Sequence, residues 1–135
     1  MLTSLVLLSL WAPHSIDGAP FLATADPTTQ FAMQLCLARV ELVEMQTLYQ
    51  AEHPLLEKQQ RRVRAMEQSL STLGDQGYSV DEKRVDAMLE TLLQRTKAEL
   101  EVAQQELTSS HPRLALLELR LQALGHVAAR RALVG

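Results

Sequence analysis

A hydrophobic seam that holds heptad register through two His-Pro breaks constrains this chain more than any other feature. From Phe31 the apolar residues fall at 31, 35, 38, 42, 45, 49, 56, 63, 66, 70 and 73, and only Glu52 and Gln59 are polar in that series. A second series runs 89, 93, 96, 100, 103, 107, 110, 114, 117, 121, 124 and 128, with Thr96 and Ser110 its polar members. Alternating steps of four and three place one apolar stripe along a helix that packs against a partner. Proline removes a backbone donor and breaks a helix interior, yet at the first helical position the missing N–H costs nothing. Both series therefore predict long helical arms with a kink or short break at each His-Pro, the helix restarting at Pro54 and Pro112.

The stretch AEHPLLEKQQRRVRAME, residues 51–67, is echoed by SSHPRLALLELRLQALG, residues 109–125. The same offset matches Leu35 with Leu93, Glu41 with Glu99, Leu42 with Leu100, Gln46 with Gln104, Arg62 with Arg120 and Ala65 with Ala123. Heptad sequences resemble one another, but the repeated His-Pro makes an internal duplication the economical reading. Between the arms, LGDQGYSVDE carries the only strong turn signal: Gly74 is expected to end one helix, and Ser79 with Glu82 to cap the next. Asp26-Pro27 supplies an N-cap and first-turn residue for the first arm. The expected fold is all-α, a long antiparallel helical hairpin with arms at about 27–73 and 79–133 and a turn at 74–78. The alternative is the same helices folded back at His-Pro into a four-helix bundle.

Composition narrows the compartment and the function classes. Of 135 residues, 47% are hydrophobic and 4% aromatic, so the core must be aliphatic. A net charge of −3 with no basic block argues against nucleic acid as a partner. Cys36 is the only cysteine, which rules out an intrachain disulfide and reads as a buried thiol. Residues 1–25 differ from the rest. LTSLVLLSLWA has the length of a signal-peptide apolar core and is too short for a bilayer span, and Ala23 and Ala25 fit a signal-peptidase site. The expectation is an exported, periplasmic or otherwise secreted protein whose mature domain is 26–135.

LYQAEHPLLEKQQRRVRAMEQSL and LTSSHPRLALLELRLQALG resemble the periplasmic coiled-coil segment of polysaccharide co-polymerases, the chain-length determinants of bacterial surface glycans. That resemblance covers about 20 residues, twice. The second copy lacks the aromatic before His-Pro, and the chain is too short for the family's whole domain, so chain-length control does not carry over. It implies an envelope-located helical hairpin. In size and architecture the chain is also similar to periplasmic stress chaperones and metal-responsive helical proteins, without their repeated Leu-Thr-x-x-Gln motif.

No nucleophile–base arrangement, glycine-rich phosphate loop or clustered carboxylate set is present, and the expectation is a non-enzymatic protein with no cofactor and no metal site. In the long hairpin His53 is expected opposite Glu99 and His111 opposite Glu41, acting as helix caps. The functional signal is a second apolar stripe: Met33, Leu37, Val40 and Val43 on the first arm, Leu116, Leu119, Ala123 and Val127 on the second. A hairpin with two apolar faces at its open end is incomplete as a monomer. These eight residues are the expected partner-binding surface, for a protein partner, a homodimer or a membrane-associated complex. The resulting reading is an exported scaffold presenting a coiled-coil hairpin to an envelope partner; the alternative is a periplasmic chaperone or metal-responsive protein.

Overall fold

The computed structural model describes residues 25–134, and the expected signal segment lies almost wholly outside them. Four helices account for the described chain, with no strand among the described residues: α1 Pro27–Leu48, α2 Pro54–Asp75, α3 Glu82–Glu106 and α4 Pro112–Val134. The all-α expectation is met, in its folded-back form. Both arms reverse at His-Pro, so that α1 packs on α2 and α3 on α4. Helix α1 also packs against α4 and α3, whereas α2 rests chiefly on α1. The arrangement is two short helical hairpins laid side by side, with α1 at the centre and α2 outermost.

The reversal explains why heptad register survives the breaks. Leu35, Ala38 and Val63 form one buried cluster flanked by Leu42, Met66 and Leu70, all seam residues of the first arm. Ala103, Leu114 and Leu117, with Leu100 and Leu107, form the equivalent cluster of the second. These parts of each seam close on themselves across their own His-Pro turn, whereas Leu89 and Leu124 join the larger cluster between the hairpins. Polar seam positions are satisfied locally: Gln59 Nε2 donates to the Ala38 carbonyl at 2.9 Å, and Thr96 Oγ1 to the Leu92 carbonyl at 2.7 Å.

The two His-Pro turns have the same geometry. Tyr49 and Leu107 end their helices extended, at φ −118 and ψ 154 for Tyr49 and an equally extended Leu107, each N–H reaching the carbonyl four residues back at 2.8 Å. His53 and His111 donate their N–H groups to Gln50 and Thr108 carbonyls at 3.0 Å. Each imidazole Nδ1 then accepts from the second helical N–H, Leu55 at 3.2 Å and Arg113 at 3.1 Å. Histidine here is an N-cap acceptor, and proline sits at the position where its missing donor is harmless. His53 also stacks on Tyr49 with ring centroids 4.4 Å apart, a contact the second turn replaces with Leu107. His53→Ala and His111→Ala should each lose about 0.5–2 kcal/mol by urea unfolding, the first more than the second, while His→Asn restores most of it. Equal stability of all four variants with the parent would contradict the capping role.

The connection between hairpins departs from the sequence expectation at two residues, the helix-ending glycine and the next N-cap. Helix α2 runs through Gly74 to Asp75, and Gly77 takes the left-handed conformation, at φ 94. Tyr78 N–H bonds to the Leu73 carbonyl and Gly77 N–H to that of Gly74, the paired bonds of a Schellman ending. The N-cap of α3 is Asp81, which accepts from Arg84 N–H at 3.3 Å, in place of the expected Ser79. Thr29 fastens this turn to the start of α1: its Oγ1 accepts from Asp81 N–H at 3.0 Å and donates to Asp26 Oδ2 at 2.8 Å. Asp26 caps α1 as expected and accepts from Thr29 N–H at 2.9 Å. The two glycines should therefore respond with opposite signs. Gly74→Ala, in an open helical site, should gain roughly 0.5–1 kcal/mol, and Gly77→Ala should lose about 1 kcal/mol, both by thermal or urea unfolding.

Candidate functional site

The eight residues expected to bind a partner lie inside the chain's own packing. Met33, Val40 and Ala123 are 0% exposed and Val127 is buried with them, in a cluster completed by Val85, Met88, Leu89 and Leu92 of α3. Leu37 and Val43 pack against this cluster, Leu119 is buried, and Leu116 packs beside Met45 and Leu56. The stripe does join α1 to α4, as the hairpin expectation had it, but α3 covers it. As an exposed docking surface it is corrected: the stripe is the interface between the two hairpins. Cys36 belongs to the same core and is buried, as expected.

Within that interface lies a charged group that the apolar pattern concealed. Arg120 Nε of α4 donates to Glu44 Oε1 of α1 at 3.3 Å, with the two side chains 4% and 0% exposed. Burial pulls the Arg120 guanidinium below its ordinary basicity, and the carboxylates of Glu44, then Glu99 and Glu41, oppose that pull. Glu41 is half-buried, and desolvation raises its carboxyl above the usual range against the attraction of Arg62 and Arg120. The repeat offset runs through this cluster, since Glu41 and Arg62 of the first hairpin correspond to Glu99 and Arg120 of the second. The signal was present in the sequence: Glu44 continues the Met33, Leu37, Val40 series, and Arg120 sits among Leu116, Leu119 and Ala123.

An open, shallow groove of about 500 Å³ runs along α3 and ends beside the start of α4. Ala98, Glu99, Val102 and Glu106 line its length, with Arg95 toward one end and Arg113 at the other. Val102 is a large apolar side chain left 51% exposed there. Nothing in the heptad pattern marks this face, because Val102 falls outside the seam. The histidines are committed to their helix caps rather than to the Glu99 and Glu41 carboxylates. Among the described residues no group of three or more His, Cys, Asp or Glu is placed to hold a metal ion. No described helix is long and apolar enough to cross a membrane. No family model, no curated protein and no solved structure matches this chain.

Proposed function

We propose that this protein is an exported, non-enzymatic helical scaffold that acts by docking a helix of another polypeptide along α3. The observation that carries this reading is the α3 groove. It is long, shallow, flanked by charges of both signs and floored by an exposed valine, features that suit an amphipathic helix better than a small molecule. Most aliphatic side chains of the described residues pack within the chain's own hairpins, with Leu48, Val102 and Leu133 left exposed, and the matched His-Pro turns support descent from a duplicated hairpin. Export rests on the apolar segment and small-residue site before Asp26.

A photo-crosslinking amino acid at position 102 tests the docking reading in cells, with position 122 on α4 as the control. Discrete polypeptide adducts at 102 and none at 122 are expected. Absence of any adduct at 102 would remove the groove as a docking site. Intact mass of the envelope fraction should give a chain beginning at Asp26, and retention of residues 1–25 in a cytosolic protein would overturn export.

A further inference from the structure

Five of the eight residues that line the α3 groove stand at repeat positions whose α1 counterparts meet α4. Shifted back by the distance from His111 to His53, these lining residues, Ala98, Glu99, Val102, Ala103 and Leu107, become Val40, Glu41, Glu44, Met45 and Tyr49. All five lie at the contact with α4. Val40 shares a cluster with Ala123 and Val127, Glu44 holds Arg120, Glu41 feels the Arg120 charge, and Met45 and Tyr49 pack around Leu116. The first hairpin has its acceptor surface filled; at the corresponding positions of the second, Ala98 and Val102 are exposed, while Ala103 and Leu107 pack on Leu114 and Leu117 of their own hairpin.

The inserting face has a counterpart as well. Helix α4 reaches α1 through Leu116, Arg120, Ala123 and Val127, and the same shift lands on Lys58, Arg62, Ala65 and Ser69 of α2, all exposed. We propose that the occupant of the α3 groove is α2 of a second copy of this chain, seated as α4 is seated on α1. This names the partner for the docking function above and rests on that reading. Lys58, Arg61 and Arg62 make the inserting face basic; Glu99 and Glu106 along the middle of the groove, with exposed Glu101 beside it, oppose them, and the basic Arg95 and Arg113 stand at the groove's two ends. Arg120 already interacts with Glu99 of its own hairpin and with Glu41 and Glu44 of the other. Arg62, which interacts with Glu41 of its own hairpin, takes the equivalent place facing Glu99 of the next copy. The two surfaces differ, so the contact is head-to-tail, and copies add one after another unless the rotation between them closes a ring.

Velocity sedimentation of the full chain at rising concentration should show species growing beyond the dimer, and added salt should dissolve them. The sign of the charge at position 102 gives the sharpest test. Val102→Glu recreates opposite Arg62 the carboxylate that Glu44 offers Arg120 and should tighten association roughly fivefold; Val102→Arg should weaken it by at least as much. Adventitious association through an apolar patch would be weakened by both. Circular dichroism should be unchanged in each, because the side chain is half in solvent. Lys58→Glu/Arg61→Glu removes the inserting face instead, and mixed with Val102→Arg it should give a 1:1 dimer that grows no further. In a Cys36→Ser background, Arg62→Cys with Val102→Cys should form an intermolecular disulfide ladder. A wild-type chain that is monomeric at every concentration, or equal loss with Glu and Arg at 102, overturns the stacking. Adducts to a different polypeptide at position 102 alongside a monomeric wild type would leave the docking function standing and refute only its partner.

Discussion

Glu44→Ala is expected to destabilise the fold by about 3–5 kcal/mol, because it removes the carboxylate hydrogen-bonded to the Arg120 guanidinium in a site 3% exposed. Total stabilities of single domains are on the order of 5–15 kcal/mol, so the variant should be largely unfolded at moderate urea. Replacing both partners, as Glu44→Leu with Arg120→Met, removes the desolvation cost together with the attraction and should be neutral or more stable than the parent. The surface pair Arg39–Glu67, 3.2 Å apart with side chains 37% and 47% exposed, supplies the control: Glu67→Ala should change stability by about 1 kcal/mol or less. Urea midpoints of the three variants check the ordering. A Glu44→Ala protein as stable as Glu67→Ala would mean that water reaches the buried pair and that it does not fix the seating of α4 on α1.

Both apolar faces were legible in the sequence, and their roles were exchanged by one geometric choice at His-Pro. The pattern of Leu35, Ala38 and Val63 is the same whether the first arm runs straight against the second or folds on itself, because heptad spacing records that a residue is buried and not which helix buries it. A kink and a reversal also share the signature of proline at the first helical position. What separates them is Gln50–Glu52 and Thr108–Ser110, which add enough chain before each histidine cap for a full turn. Once the arms reverse, much of the seam is spent inside each hairpin, and Met33, Val40, Ala123 and Val127, with Leu89 and Leu124 of the seam, join the hairpins rather than meet a partner. The glycine exchange at the central turn has a similarly local cause. Gly74 has the helical bonds to continue, and the left-handed residue falls where Tyr78 can reach back to Leu73. The α3 groove left no trace in the periodicity, since it is defined by what fails to cover Ala98 and Val102.

Val40→Glu should abolish cooperative folding, at a cost above about 4 kcal/mol, whereas Ala98→Glu at the corresponding position of the second hairpin should cost about 0.5 kcal/mol or less. Val40 is 0% exposed and packed among Ala123, Leu124 and Val127, so a carboxylate there has neither water nor a free cation, and Glu44 and Glu41 lie within a turn on the same helix. Ala98 faces the open groove, where a carboxylate keeps its hydration. Cys36 gives a second readout. It is 1% exposed, and burial pushes its thiol above the ordinary cysteine range, so a disulfide reagent should label native protein slowly and Val40→Glu at once. The two outcomes separate an internal interface from an external one: if Val40→Glu kept its helix content and a protected Cys36 while changing only its sedimentation, the stripe through Val40 would be a contact between molecules, and α4 would not be seated on α1 within one chain.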